Sequence, residues 1–394
     1  MWAALEPIGC DRRSGGYRRH AWTAEDAALR EWFAGEAQAR GLDVLEDRAG
    51  NQWAWWGDPD ADGPGAVLGS HLDSVPDGGA FDGPLGVVSA FAALDALRGE
   101  GFVPARPVGV VHFGDEEGAR FGVACAGSRL VTGALSPDRA RALTDADGVP
   151  MADAMAAAGH DPAALGRDEE TLHRVAVFVE LHVEQGRALA DLDRPVAVGT
   201  GIWPHGRWRF ELPGEANHAG TTALDRRRDP MLALAEVVLA ARAAAARHDA
   251  LATCGKVRVT PNGVNAIPSH VTGWLDARGA DAARVRGMVG EVGATVHGQG
   301  GELHEESWTD LTTFDASLAA RLAALLGPPG DPAPLLPTGA GHDAGVLAGA
   351  GIPTAMLFVR NPTGVSHSPA EHAERDDCLA GVAALAAVLR ELAR

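Results

Sequence analysis

Two short runs carry the residues best able to do chemistry. GSHLDSVPDGGAFDGPLG at 69–86 holds His71, Asp73 and Asp82, and GDEEGARFGVACAGSR at 114–129 holds the adjacent pair Glu116 and Glu117. Both runs follow apolar stretches, AVL and PVGVVHF, so their polar residues fall where buried strands end. Histidines and carboxylates collected at strand ends suit two divalent cations and hydrolysis by a metal-activated water. Asp82 lies in the apolar, Gly-rich turn Phe81-Asp82-Gly83, where bridging two cations would justify an anion. Residues two apart on a strand share a side, so Asp73 is expected to hydrogen-bond the far imidazole nitrogen of His71 and fix its tautomer. Adjacent glutamates point apart, which lets one serve a metal and the other a water. Without cations two neighbouring carboxylates repel, and one carries a raised pKa. A lone Glu-Glu would read as an acidic strand end; here His71, Asp73 and Asp82 give it a context.

Two later segments add imidazoles. FVELHVEQG (178–186) puts His182 at the end of a β-branched run, and GVSHSPAEHAE (364–374) puts His367 in a Ser/Pro loop before a helix. Taken singly, each reads as a structural or surface histidine. Together they bring the candidate ligands to His71, Asp82, Glu117, His182 and His367. Nitrogen and oxygen donors without thiolate suit Zn²⁺, Mn²⁺, Co²⁺ or Ni²⁺ rather than a Cys-based structural zinc.

The motifs GSHLDSV, GGAFDGPLG, EEGARF, ELHVEQG, ANHAGTT, VNAIP, DAR, GAGHDA and GVSHSPAE occur in that order. On them the chain resembles the binuclear-metal aminoacylase/carboxypeptidase superfamily, and is most similar to its allantoate amidohydrolase and N-carbamoyl-L-amino-acid hydrolase branch. The likeness runs from about GNQWAWW at 50–56 to the C-terminus. The histidine of ELHVEQG discriminates this branch from peptidase and aminoacylase relatives, which usually supply a carboxylate there. The resemblance implies that His71 and His182 hold one metal, that Glu117 and His367 hold the other, and that Asp82 bridges them. It implies Glu116 as general base and His218, in ANHAGTT, as an oxyanion donor supplied across a dimer interface; the bland reading of His218 is a turn residue.

Substrate-fixing residues follow from side-chain chemistry. Arg278 ends HVTGWLDAR, and a guanidinium is a natural bidentate partner for a carboxylate. Asn265 in GVNAIP and Gln185 each offer donor and acceptor to a ureido group. In the family these three positions contact substrate. Their bland readings are a surface arginine, a turn asparagine before Pro268 and a helix-start glutamine. One departure stands out: relatives often carry arginine in the segment before ANHAG. Counting puts Gly206 there, between His205 and Arg207, which leaves the substrate assignment open.

The elements that must position these residues alternate. AVLGS (66–70), VGVVHF (108–113) and VAVFVEL (175–181) read as central strands, with helices near 84–98 and 126–133 and a last buried strand at IPTAMLF. Alternation of this kind predicts an α/β fold with a mostly parallel sheet covered on both faces and ligands at the carboxyl ends of its strands. The charged stretch 136–174 reads as exposed helices and loops. In LPTGAGHDA, His342 reads as a supporting partner of the site, or Asp343 as a helix cap. From GRWRFELPG to ELHEESW the order is β-α-β-β-α-β, with KVRVTPNGVNAI read as one strand, a split βαβ pattern typical of a ferredoxin-like sheet. The expected division is a catalytic domain of residues 1–203 and 312–394 and an inserted lid and dimerisation domain at 204–311. His218, Asn265 and Arg278 fall in the insertion, the five metal ligands outside it, so catalysis would require closure.

Composition agrees with an enzyme of small molecules. With 34 Lys and Arg against 53 Asp and Glu, the net charge is −19, which argues against nucleic-acid or acidic-membrane partners. Cys10, Cys125, Cys254 and Cys378 form no CxxC pair and read as free thiols in a reducing compartment. Cys125 follows the Glu pair; core packing is its simplest reading. The opening MWAALEPIGCDRRSGG lacks the pattern of a signal peptide, so a cytoplasmic location is expected. The start is short for the family, reading either as the remnant of a helix or as leaving the true start upstream. The expected activity is hydrolysis of a ureido or carbamoyl C–N bond, with allantoate first and an N-carbamoyl-L-amino acid close behind. A dipeptidase or deacylase is the alternative enzyme, and a metal-free binding protein on the same fold is the alternative of another class.

Overall fold

The structure, a computed structural model, describes residues 1–394. Six strands lead: β1 (Asp43–Glu46), β2 (Gln52–Trp56), β3 (Gly65–His71), β4 (Val108–Phe113), β5 (Val175–Val183) and β6 (Val196–Ile202). Six more follow: β7 (His205–Pro213), β8 (Asn217–His218), β9 (Leu251–Thr260), β10 (Ala266–Ile267), β11 (His270–Arg278) and β12 (Glu302–Thr309). The last three are β13 (Thr312–Thr313), β14 (Leu335–Thr338) and β15 (Thr354–Val359). The chain divides into two compact units, Met1–Gly201 with Thr313–Arg394, and Ile202–Thr312.

In the first unit the sheet order is β1-β2-β4-β3-β5-β15-β6-β13, with β14 beside β6. Its centre, β4-β3-β5-β15, is parallel, whereas β1 and β2 on one side and β6 on the other are antiparallel. The fold is therefore mixed α/β with a mostly parallel central sheet. Every residue of β3, β4 and β15 is buried, as expected where both faces of a sheet are covered. Ala66 and Leu68 of β3 join Phe91 and Leu94 of helix Pro84–Gly99 and Leu385 and Leu389 of helix Arg375–Leu392 in one core. Pro84 opens the first of these helices, where its missing N–H would have had no intrahelical acceptor.

Because the central strands are parallel, their carboxyl ends lie on one side and their loops converge there. His71 ends β3, Glu116 and Glu117 follow β4, His182 is the penultimate residue of β5, and His367 lies in the loop after β15.

Residues 136–174 depart from the expectation of exposed helices and loops. Their short helices Pro137–Ala142 and Met151–Ala157 bury Ala140, Met151, Ala154 and Met155 with Ala21, Trp22, Phe121 and Leu130 in a satellite core. The many charged residues hide this pattern, since a helix of six or seven residues needs only two apolar positions to cover a neighbour.

The second unit is a four-stranded antiparallel sheet, β12-β7-β11-β9. Helices Pro230–His248 and Ala282–Gly298 lie on one face, burying Trp208, Phe210, Val271 and Leu275 against Val237, Met288 and Val292. Together with the chain order β-α-β-β-α-β this is the split βαβ topology. The stretch KVRVTPNGVNAI is two strands rather than one. Pro261 withdraws a ladder donor and Asn262 takes φ +59°, so β9 ends and the chain turns before β10. No helix is long and apolar enough to cross a membrane.

Candidate metal centre

His71 and His182 are held alike. Nδ1 of His71 donates to the backbone oxygen of Asp73 at 3.2 Å, and Nδ1 of His182 to that of Val183 at 2.8 Å. With Nδ1 carrying the proton, each Nε2 offers a lone pair to a common centre. Those two Nε2 atoms and Oε1 of Glu117 are buried without a hydrogen-bond partner. Each such orphan costs about 1–3 kcal/mol, so three together suit a place built to coordinate cations.

The ligand atoms of His71, Asp82 and His182 lie within 4.8 Å of one another, and so do those of Asp82, Glu117 and His367. Asp82 belongs to both groups and turns one oxygen to each. Its Oδ1 is 3.1 Å from His182 Nε2 and 3.6 Å from His71 Nε2. Its Oδ2 is 3.5 Å from His367 Nε2, which is in turn 3.6 Å from Glu117 Oε2. The all-nitrogen-and-oxygen donor set fits a pair of borderline divalent cations.

The Gly-rich turn makes this approach possible. Gly83, before helix Pro84–Gly99, has φ +84°, and a Cβ there would come within 2.4 Å of the His71 ring. Glu371 accepts from the N–H groups of Phe81 and Asp82, each at 2.9 Å, and so ties the loop carrying Asp82 to the segment carrying His367. Nothing in the one-dimensional pattern marked Glu371. It is buried although its neighbours in SPAEHAE are small or polar.

Asp73 does reach the far nitrogen of His71, but not through strand alternation. β3 ends at His71, so the alternation rule does not reach residue 73. The imidazole meets the backbone oxygen of Asp73, and its carboxylate Oδ1 stands 3.4 Å away. That carboxylate, besides facing His71 Nδ1, accepts from the N–H groups of Glu116 at 3.1 Å and Glu117 at 3.0 Å. Asp73 therefore links the loop of His71 to the glutamate pair.

Glu116 is buried, with Oε2 3.7 Å from His71 Nε2 and Oε1 accepting from the Cys125 thiol at 3.2 Å. Burial pushes its carboxyl well above the usual range; His71 opposes this, and Asp343, Glu117 and Asp73 reinforce it. Burial, then Asp82, pushes Glu117 up to about 8. A crowd of carboxylates under little solvent is a setting that divalent cations stabilise.

Gln185 is not at a helix start. It lies between β5 and the short helix Ala188–Asp191, and its Nε2 donates to Asp82 Oδ2 at 2.9 Å and Ser366 Oγ at 3.1 Å. His342 packs its ring on His182, centroids 4.4 Å apart. Asp343 does not cap its helix: it accepts from Ser128 Oγ, and Glu180 Oε2 takes the first-turn N–H of Ala344 at 3.0 Å.

His218, Asn265 and Arg278 belong to the second unit. The β8–β10 ribbon sets His218 opposite Ala266, next to Asn265, whose backbone oxygen accepts from Ala219. The Gly220 N–H donates to His218 Nδ1 at 2.9 Å, so Nδ1 is the acceptor and Nε2 is the other nitrogen of this exposed ring. Arg278 gives Nε and Nη2 to the two oxygens of Asp276, each at 2.7 Å. Residues 276 and 278 share one face of β11, and Arg207, opposite Asp276 on β7, reaches the same carboxylate at 3.7 Å. Asp276 thus fixes the orientation of the Arg278 guanidinium. Gly206 has no room for a longer side chain, since a Cβ would stand 2.6 Å from Ser307 O and from the Trp208 ring.

Residues 67–391 match Peptidase family M20/M25/M40, and the chain belongs to that family. It is 37% identical over 404 residues to N-carbamoyl-L-amino acid amidohydrolase of Geobacillus stearothermophilus, covering 100% of this chain and 98% of that protein. It is 32% identical over 401 residues to allantoate amidohydrolase of Escherichia coli, covering 99% and 96%. An amidase of the hydantoinase/carbamoylase family from Burkholderia vietnamiensis superposes with a TM-score of 0.91 at 30% identity, covering 100% of this chain and 95% of that one. The protein is a hydrolase, and its named relatives are amidohydrolases.

Proposed function

We propose that the protein hydrolyses the C–N bond of a terminal carbamoyl or ureido group on a small carboxylate, as in allantoate or an N-carbamoyl-L-amino acid. The observation that carries this reading is the pair of three-residue donor groups sharing Asp82 beside buried Glu116. His71 and His182 would hold one divalent cation, Glu117 and His367 the other, with Asp82 between; Zn²⁺ is the first choice, then Mn²⁺, Co²⁺ or Ni²⁺. When bound, such a pair polarises a carbonyl and acidifies water. Glu116 Oε2 would accept the proton of the attacking water and return it to the leaving nitrogen. His218 Nε2–H would stabilise the oxyanion, Arg278 would hold the substrate carboxylate, and Asn265 and Gln185 would meet the ureido group. These roles need the second unit to work as a lid, and a homodimer if His218 acts on the partner's site. The exposed apolar residues Leu232 and Leu239 on helix Pro230–His248, beside the sheet-edge strand β9, suit such a contact. The reaction is expected in the cytoplasm.

The test is metal analysis of the purified protein, followed by ammonia release from allantoate and a set of N-carbamoyl-L-amino acids. Cleavage of acyl-amino acids or dipeptides without carbamoyl turnover would replace this reading by the deacylase or dipeptidase one. Arg278→Ala should raise KM about 100-fold with a smaller effect on kcat, in line with ~2–4 kcal/mol for an ionic contact in a closed site. An unchanged KM would remove Arg278 from substrate binding. Mixing inactive His218→Ala and Glu116→Gln subunits should restore part of the activity. No recovery despite proven subunit exchange would place His218 and Glu116 of one site on one chain.

A further inference from the structure

Cys125 sits where a cysteine is conformationally disfavoured. Its backbone is left-handed, φ +55° and ψ +38°, at the start of helix Ala126–Thr132. That region costs a non-glycine residue on the order of 1 kcal/mol, and glycine would occupy it without strain. The position is fixed by three successive hydrogen bonds that close the 114–127 loop, from the N–H groups of Cys125, Ala126 and Gly127 to the oxygens of Glu116, Asp115 and Gly114. In that conformation the thiol reaches Glu116 Oε1 at 3.2 Å, while Oε2 faces His71 Nε2. Cys125 is the one side chain that donates a hydrogen bond to this carboxylate, and it is 2% exposed, so the contact is shielded from solvent. Burial, with Glu116 and Asp343 close by, pushes the thiol well above its usual pKa and keeps it a neutral donor.

We propose that Cys125 is a positioning residue for the general base: its S–H pins Oε1 of Glu116 and leaves Oε2 as the atom that takes and returns the proton. This rests on the proposed role of Glu116. A carboxylate free to rotate would present either oxygen at shifting angles, and small misplacements of reacting groups cost large factors in rate.

Three variants test the idea, each with metal content and melting temperature measured beside kcat and KM. Cys125→Ala is expected to lower kcat about 10- to 100-fold, with KM within about twofold and metal content unchanged. Cys125→Ser, which keeps a donor, should hold kcat within about threefold of wild type. Cys125→Gly relieves the left-handed strain that Cys125→Ala retains, so it should melt no lower than the alanine variant yet lose kcat as that variant does. Wild-type kcat in the alanine and glycine variants, or a serine variant as slow as alanine, would overturn the proposal. A readout independent of turnover is the infrared S–H stretch, isolated as the difference between wild type and Cys125→Ser. It should lie at the low frequency of a hydrogen-bonded thiol and rise in Glu116→Ala; a band indifferent to residue 116 overturns the contact. If Glu116→Gln keeps full turnover while the thiol band still responds, the role of Glu116 fails and the contact stands.

Discussion

Glu116→Gln is expected to lower kcat by about 10³-fold while leaving the bound metal unchanged, because general-base catalysis typically contributes 10²–10⁴-fold. Glutamine keeps the shape of the side chain and the acceptor for the Cys125 thiol, so packing is conserved and only the proton-accepting oxygen is lost. The backbone would not move either, since the N–H of residue 116 remains fixed by Asp73. KM should change little, as the substitution acts on the proton transfer and not on the carboxylate contact. Metal analysis and steady-state kinetics on the same preparation decide it. Wild-type turnover with full metal would exclude Glu116 as base; loss of metal would show instead that it is a ligand.

The second large effect belongs to Asp82. Asp82→Asn is expected to abolish turnover and to strip most of the bound metal, because one carboxylate faces both donor groups. The amide keeps an acceptor oxygen for Gln185 and Ser366, so the loop has a means of staying in place. Without the charge, the imidazoles of His71, His182 and His367 lose their shared anionic partner. Stability supplies a second measurement. A ligand at 100 times its Kd stabilises a protein by ~2.7 kcal/mol, which for a protein of this size is worth roughly 3 °C in Tm. A chelator should therefore lower the Tm of the wild type by about 3 °C or more and leave the variant unmoved. Full metal content in Asp82→Asn would break the argument that this residue joins the two groups.

How much of this was legible in advance depended on the kind of signal. Runs such as VGVVHF and IPTAMLF announce buried strands because a strand covered on both faces must be apolar along its whole length, and β4 and β15 are buried throughout. Residues 136–174 show the opposite case, where short helices bury a few alanines and methionines among charges that dominate the text. Asp73 was visible as a polar partner of His71, but not that it also holds backbone N–H groups 43 and 44 residues away. Glu371 reaches the backbone of Phe81 and Asp82 across 290 and 289 residues. No periodicity encodes contacts of that range.

The order of residue types along the chain alone determined which side chains have metal-binding chemistry, and that they follow apolar strand segments. A strand's end is a local property, set by where apolar residues stop. Tertiary structure decided which nitrogen of each histidine faces the centre, which oxygen of Asp82 serves which group, and that Glu116 meets a thiol. Those outcomes depend on the parallel packing of β4, β3, β5 and β15, which brings loops distant in sequence to one edge. The orientation of a side chain is settled by the neighbours that packing supplies.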